Sequence, residues 1–389
     1  MTPGARVAAA IEILDGIAAG KPAEVALSRW ARASRYAGSK DRAAVRDHVF
    51  DVLRHWRSDA ARGGGDTGRA RMIGRLRGQG VDPATLFDGV GHAPAPLEDG
   101  EHAAGGDPVG DGVLWDLPDW LVPVFRDSLG DKAADTARAL THRAPVTVRV
   151  NTARTDVETA RTQLSEAGIA ATPNPRASTA LTITEGARRL RNSACYLEGL
   201  VEIQDAASQA AMLTISGQGT ALDFCAGGGG KALALAALGW RVTAHDIDAK
   251  RMRDLPARAA RGGHQITLCA PDDIAEAGQF DLVLCDAPCS GSGTWRRTPE
   301  AKWALTPARL TTLQEMQVDV LEAALCHVAP DGRLVYATCS VLRAENQAQI
   351  DAFLARHDDW QLAASQHWGV DEWGDGFYIA HLSRSRSTT

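Results

Sequence analysis

The sequence predicts an α/β protein: a doubly wound, Rossmann-like domain preceded by a small α+β domain and an all-helical domain. Three observations carry that prediction. From Ala211 onward, strand-like and helix-like segments alternate, as in a parallel sheet covered by helices on both faces. The first strand of this block runs into Cys225-Ala226 and four glycines, Gly227 to Gly230, then Lys231 and an Ala/Leu-rich helix. Two cysteines, Cys289 and Cys339, each come after an apolar run that reads as a buried strand.

In chain order, residues 5 to 56 are Ala-rich with helical periodicity. Val7, Ile11 and Leu14 share one face, and Val45, Val49, Leu53 and Trp56 share another, at spacings of three and four. Ser39 is the expected N-cap of the second of these helices. An all-helical domain is therefore expected over 1–90. Residues 91–112 are rich in Gly, Pro, Ala and acids and read as a linker. A small α+β domain is expected over 113–210, with a helix at 120–140, a strand at 146–150, a helix at 157–168 and a strand at 180–184. The remaining domain, 211–389, supplies strands at 220–224, 241–245, 266–269, 280–285, 333–337 and 377–382. Its clearest helices are at 231–238 and 310–328.

At 389 residues the chain is long enough for several domains with their own cores. It has no run of eighteen apolar residues, and its first residues lack the layout of a signal peptide, so no membrane partner is expected. Seven cysteines at irregular spacing point to free thiols in a reducing cytoplasm. No Cys-x-x-Cys or His-rich cluster suggests a metal. The formal net charge is −6, unevenly distributed: residues 1–77 carry 15 Lys/Arg and 8 Asp/Glu, a balance of +7. Residues 78–120 carry no Lys or Arg and nine acids. A basic opening domain is compatible with RNA binding and equally with an ordinary solvated helical surface.

Strands of a parallel sheet deliver the residues after them to the carboxyl edge, where such folds bind ligands. Cys289, in Asp286-Ala-Pro-Cys289-Ser-Gly, and Cys339, in Ala-Thr-Cys339-Ser, are therefore expected to meet across one cleft although 50 residues separate them. Two thiols facing one substrate suggest covalent chemistry, because a thiolate is both a strong nucleophile and a good leaving group. The glycine loop admits a ligand against the main chain. Asp246, nineteen residues after Gly227 at the end of the next strand, sits where an acid grips a ribose diol. This is not a phosphate-binding P-loop, since Lys231 is followed by Ala232. Cys195, Cys225, Cys269, Cys285 and Cys326 read as packing residues.

Taken together these motifs resemble the RNA (cytosine-5) methyltransferase family, in its Sun/RsmB-type ribosomal RNA branch. The resemblance rests on 196–208, on Cys225 to Lys231, on Asp286 to Thr294 with Arg296-Arg297-Thr-Pro299 and Trp303, and on Thr338-Cys339-Ser340 with Glu345-Asn346. It implies a NusB-like RNA-binding module at the N-terminus and S-adenosyl-L-methionine (AdoMet) as cofactor. It also implies methyl transfer to carbon 5 of a cytosine, with 16S ribosomal RNA as the expected substrate. Transfer RNA, or a non-catalytic role in ribosome assembly, is the alternative. By resemblance Cys339 is the nucleophile, Cys289 assists elimination and Asp286 contacts the cytosine and cofactor. Cys225, Ala226, Gly227, Gly228, Gly229, Gly230, Lys231, Asp246 and Asp272 (or its neighbour Asp273) line the AdoMet site. The motif context favours Arg296 and Arg297 as phosphate clamps beside the cleft, with solvated surface as the alternative. The loop departs from the family pattern, with Gly227 and Gly228 where Ala-Pro is usual and Ala232 where Thr is usual. The protein is expected to act as a monomer.

Overall fold

The computed structural model describes residues 1–385, so the last four residues of the expected 211–389 domain lie outside it. The chain forms two compact units, one of residues 1–143 with 295–304, the other of residues 144–294 with 305–389.

The first unit is helical: α1 (Pro3–Ala18), α2 (Ala23–Ala33), α3 (Ser39–Arg54), α4 (Trp56–Gly63), α5 (Gly68–Gly78), α6 (Asp99–Ala103), α7 (Asp111–Leu114), α8 (Leu121–Leu129) and α9 (Ala133–Thr141). Val7, Leu14, Val45, Val49, Leu53, Met72 and Ile73 are almost fully buried in its core, so the expected apolar faces do pack. Gly38, and not Ser39, caps α3; the Asp41 carboxylate accepts from the Gly38 amide. The expected helix at 120–140 is broken at Gly130, which has φ +54°.

The segment 91–112 is part of this unit and no free tether. Glu101 accepts from Arg69 Nε at 2.6 Å, and Arg77 donates to the Glu101 and Ala104 carbonyls. Farther on, Asp119 pairs with Arg57. Glu101 and Asp119 thus each pair with a cation of the basic segment. Composition alone made the segment look like a spacer because Gly, Pro and Ala give no periodicity.

The stretch 295–304 is also built into the helical unit. Trp303 Nε1 donates to the Leu53 carbonyl at 2.8 Å, Arg54 Nε to the Arg296 carbonyl at 2.8 Å, and Glu300 accepts from the Ala23 amide. Arg296 is 2% exposed. The expectation that it clamps phosphate is therefore corrected: its side chain belongs to a packed interior, and only Arg297 of the pair is exposed.

The second unit holds two sheets. The smaller is antiparallel in the order β2-β3-β1-β4, from β1 (Val146–Val150), β2 (Ala171–Pro173), β3 (Ala180–Ile183) and β4 (Val201–Ile203). The larger has the order β10-β11-β9-β8-β5-β6-β7. Its members are β5 (Thr220–Asp223), β6 (Arg241–His245), β7 (Ile266–Cys269), β8 (Phe280–Asp286), β9 (Val328–Thr338), β10 (Trp360–Trp368) and β11 (Phe377–Arg384). Strands β5 to β9 run parallel, and β11 and β10 add an antiparallel edge. Apolar clusters fill both faces, one around Leu282, Leu284 and Val335, the other around Leu222, Val283 and Tyr336. The chain starts at the middle strand β5, winds out to β7, then crosses back to β8. That reversal opens a crevice at the carboxyl ends of β5 and β8.

Candidate active site

Register explains why the two thiols meet. Strands β8 and β9 are parallel neighbours with Asp286 opposite Ala337, and the Ala287 amide donates to the Ala337 carbonyl at 2.9 Å. Cys289 lies three residues past Asp286 and Cys339 two past Ala337, so both leave the same edge together. Their Sγ atoms are 3.5 Å apart, as the sequence led us to expect. The loop from Cys289 is sealed by Gly293, whose amide donates to the Cys339 carbonyl at 2.9 Å and whose carbonyl accepts from the Gly376 amide. A Cβ there would lie 2.7 Å from Gly376 Cα and 2.8 Å from the Cys339 oxygen, so only glycine fits.

The pair is electrostatically asymmetric. Cys339 is held below the ordinary thiol range, first by the hydrogen bond from Cys289, with burial and Asp286 opposing and Lys231 and Thr294 assisting. Cys289 is pushed well above it by that same bond, by burial and by the charges of Cys339 and Glu345. The cation sits by Cys339 and the carboxylate Glu345 by Cys289. Both shifts run in the direction that favours ionisation of Cys339 over Cys289.

Lys231 Nζ reaches Asp286 Oδ2 at 2.6 Å and lies 5.0 Å from the centre of the Phe377 ring. Burial alone would depress its ammonium, but the Asp286 carboxylate outweighs this and raises it, so the lysine is charged. Its ammonium thus lies at the carboxyl end of β8. The expected glycine loop comes directly after β5, with Gly227 at φ +52° and Gly229 at φ +81°. Asp246, 1% exposed, accepts from the Gly227 amide at 2.8 Å, the Asp248 amide at 3.0 Å and Arg251 Nη1 at 3.0 Å. The loop and the acid are thereby locked together. Asp272 and Asp273 lie exposed on a short 3₁₀ turn after β7, Pro271–Glu276, where the Asp273 amide donates to the Ala270 carbonyl at 3.0 Å.

One residue escaped the sequence reading. Asp223, the last residue of β5, is fully buried; the Ala232 amide lies close enough to lower its carboxyl, but neither oxygen has a hydrogen bond of normal geometry among the described residues. Burial and then the negative charge of Asp286 push its carboxyl up to about 7. An orphaned buried acid at the mouth of a glycine loop is a group built for an absent polar partner. Its position immediately before the loop was the available signal. Among the other cysteines, Cys195, Cys269 and Cys285 are buried and Cys225 partly so. Cys326 is exposed, so its reading as a packing residue is corrected: it lies on the 3₁₀ turn Leu325–His327, past the last buried turn of its helix.

A cavity of about 890 Å³ in the helical unit is lined by Lys21, Arg29, Trp30 and Tyr36 among others, with no thiol. The thiol pair, the Lys231–Asp286 ion pair and the glycine loop all lie in the second unit. Among the described residues no cluster of His, Cys, Asp and Glu is placed to hold a metal, and no helix is long and apolar enough to cross a membrane.

Known proteins are similar to this chain in sequence and in fold. The 16S rRNA methyltransferase RsmB/F family matches residues 210–383, and an RsmF/B-like ferredoxin-like domain matches residues 117–188. Ribosomal RNA small subunit methyltransferase B of Vibrio cholerae is 33% identical over 287 residues, 69% of this chain and 65% of that protein. The Pasteurella multocida protein of the same name is 32% identical over 69% of this chain and 65% of its own length. The chain thus spans about two thirds of these relatives. Among solved structures, PH0851 matches with a TM-score of 0.77 at 24% identity, covering 99% of each chain. A methyltransferase homologue from Pyrococcus horikoshii gives 0.61 at 24% identity, over 70% of this chain and 97% of its own. On the two domain matches and these relatives, the chain belongs to the RsmB/F methyltransferase family.

Proposed function

We propose that the protein transfers a methyl group from AdoMet to carbon 5 of a cytosine in RNA, through a covalent cysteine adduct, and that the RNA is 16S ribosomal RNA. The 3.5 Å thiol pair beside the Lys231–Asp286 ion pair is the observation that carries this reading.

The residues present suit the cofactor. Asp223 offers two unsatisfied buried oxygens, Gly227 to Gly230 expose main chain, and Asp246 is fixed beside them. Cys225, Ala226, Gly228 and Asp272 complete the proposed AdoMet site. When bound, AdoMet supplies an electrophilic methyl group. The protein must supply the rest, because carbon 5 of cytosine is a poor nucleophile. The Cys339 thiolate adds to carbon 6, which makes carbon 5 enamine-like. Asp286, charge-balanced by Lys231, faces the ring and favours its protonated adduct. Once carbon 5 carries the methyl group, its proton passes to a solvent base, the freed electron pair restores the ring double bond as the carbon 6–sulfur bond breaks, and Cys339 leaves as thiolate. Cys289, adjacent to the adduct, assists that elimination.

RNA as partner is supported by the cations that remain exposed. Lys21, Arg29, Arg32, Arg35 and Lys40 are exposed and have no ion-pair partner among the described residues, whereas Arg6, Arg46, Arg57 and Arg69 are each paired with an acid. Unpaired cations are the ones free to displace counterions from phosphate. The test is incubation with unmodified 16S RNA and methyl-labelled AdoMet, then nucleoside digestion. Label in 5-methylcytidine is expected; label in another nucleoside, or none, would overturn the assignment.

A further inference from the structure

The two cysteine loops share one buried carboxylate. Glu345 is fully buried on a 3₁₀ turn, Arg343–Glu345, six residues beyond Cys339. Its Oε1 accepts from the Ser290 amide at 2.7 Å and from Gln317 Nε2 at 3.1 Å. Its Oε2 accepts from the Ser290 hydroxyl and from the Ser340 hydroxyl, each at 2.5 Å. Ser290 is next to Cys289 in the chain, and Ser340 is next to Cys339. Gln317 in turn donates to the Pro288 carbonyl at 3.0 Å, immediately before Cys289. The glutamate's own backbone is held as well: its carbonyl accepts from the Tyr336 hydroxyl at 2.7 Å. Asn346 extends the clamp, donating to the Ser340 carbonyl at 2.9 Å and accepting from Thr338.

From this geometry we propose that Glu345 is a positioning residue that fixes the Cys289 loop against the Cys339 loop and thereby sets the relation between the two thiols. The proposal rests on the catalytic reading of those thiols. Three arguments support it. First, a buried carboxylate with no cation in hydrogen-bond reach among the described residues is costly, and four donors converging on its two oxygens offset that cost only while both loops stay in place. The network therefore favours one arrangement sharply over a displaced one. Second, thioether formation and elimination demand ångström-scale placement of Cys289 beside the adduct, and the strand ends alone leave the three-residue extension to Cys289 to be held by something else. Third, the charge of Glu345 acts on Cys289, helping to keep that thiol protonated and so leaving the thiolate on Cys339.

The test uses the full chain with Glu345→Gln, which keeps the shape and loses the charge and one acceptor. Ser290→Ala is the milder second variant, which removes a single donor. The first readout is independent of RNA: alkylation of each cysteine by iodoacetamide across pH, mapped by mass spectrometry. In Glu345→Gln the pH midpoint of Cys289 should move down, and the preference for Cys339 near neutral pH should shrink. Ser290→Ala should move both in the same direction, by less. The second readout is turnover on RNA, expected to fall by roughly a hundredfold for ångström-scale misplacement, with the covalent RNA complex accumulating and AdoMet affinity unchanged. Unchanged alkylation profiles in both variants, or a turnover loss that tracks lost AdoMet binding without accumulation of the complex, would overturn the proposal. If wild-type protein itself leaves RNA unmethylated, the catalytic reading fails, while the alkylation profiles still decide whether Glu345 positions the thiols.

Discussion

Gly229→Ala is the most quantitative test of the cofactor loop. Gly229 adopts φ +81°, the left-handed region, where a side chain costs about 1–2 kcal/mol. A Cβ there would overlap Leu255 Cδ1 and stand 2.9 Å from its Cγ. Leu255 is fully buried, so it has little room to yield, and overpacking of this kind costs about 1–3 kcal/mol. The substitution should therefore destabilise the second unit by about 2–5 kcal/mol, read as a lowered urea midpoint at unchanged slope. Gly228→Ala is the internal control: its φ is ordinary, and its Cβ would meet only the flexible end of Arg258, at 3.3 Å. It should cost less than about 1 kcal/mol. In a Leu255→Ala background, whose own cavity cost is set aside by the cycle, Gly229→Ala should cost only the backbone part. Calorimetry should show weaker AdoMet binding for Gly229→Ala at temperatures where it remains folded. Equal stability of the two glycine variants would refute the reasoning, because it would mean that neither the dihedral nor the Leu255 contact constrains the loop.

Lys231→Met removes the cation from Asp286 and Cys339; the partly exposed ion pair makes the stability loss about 1–3 kcal/mol, and alkylation of Cys339 at neutral pH should slow, whereas an unchanged rate would show that the lysine does not support the thiolate. Asp59 gives a pH prediction. It is fully buried, its nearest cations Arg62 and Arg75 stand 3.7 Å away, and burial pushes its carboxyl up to about 8. A raised acid binds its proton more tightly when folded, so the wild type should lose stability as pH rises from about 4, its unfolded value, to about 8. Asp59→Asn should lack that decline and be the more stable protein at pH 8; parallel pH curves for the two would contradict it. Reversing Arg29, Arg32 and Arg35 to Glu should weaken RNA binding and flatten its salt dependence by about three phosphate contacts, with AdoMet affinity retained. An unaltered salt slope would assign those cations to solvent alone.

Parallel strands were legible because burial on both faces makes them continuous apolar runs: β6 and β7 match their expected limits, and β8 differs by one residue. The edge strand β10 was not, since only Trp360 of its residues is buried and Gln, Ser and His face solvent along most of its length. The three-residue strands β2 and β4 are too short for alternation to register. At the site, Cys289, Cys339, Asp286 and the glycine loop were legible because residue type and strand-end position coincide. Glu345 was visible only as part of a motif, because its work is done by hydrogen bonds to two loops that adjoin only after folding. Arg296 was misread for the complementary reason: a cation beside a catalytic motif looks like a phosphate ligand until its packing among the helices is known.

The central claim is that two thiols act on opposite sides of one covalent intermediate, and trapping that intermediate tests it most directly. Wild type, Cys289→Ala and Cys339→Ala are each incubated with RNA and AdoMet, then resolved by denaturing electrophoresis. Cys289→Ala is expected to attack and to permit methylation, yet to release slowly, so a protein–RNA band should survive denaturation. Cys339→Ala is expected to give neither band nor methylated product, because no thiolate adds to carbon 6. A stable band from Cys339→Ala and none from Cys289→Ala would reverse the two roles, and full turnover by both variants would contradict the covalent mechanism.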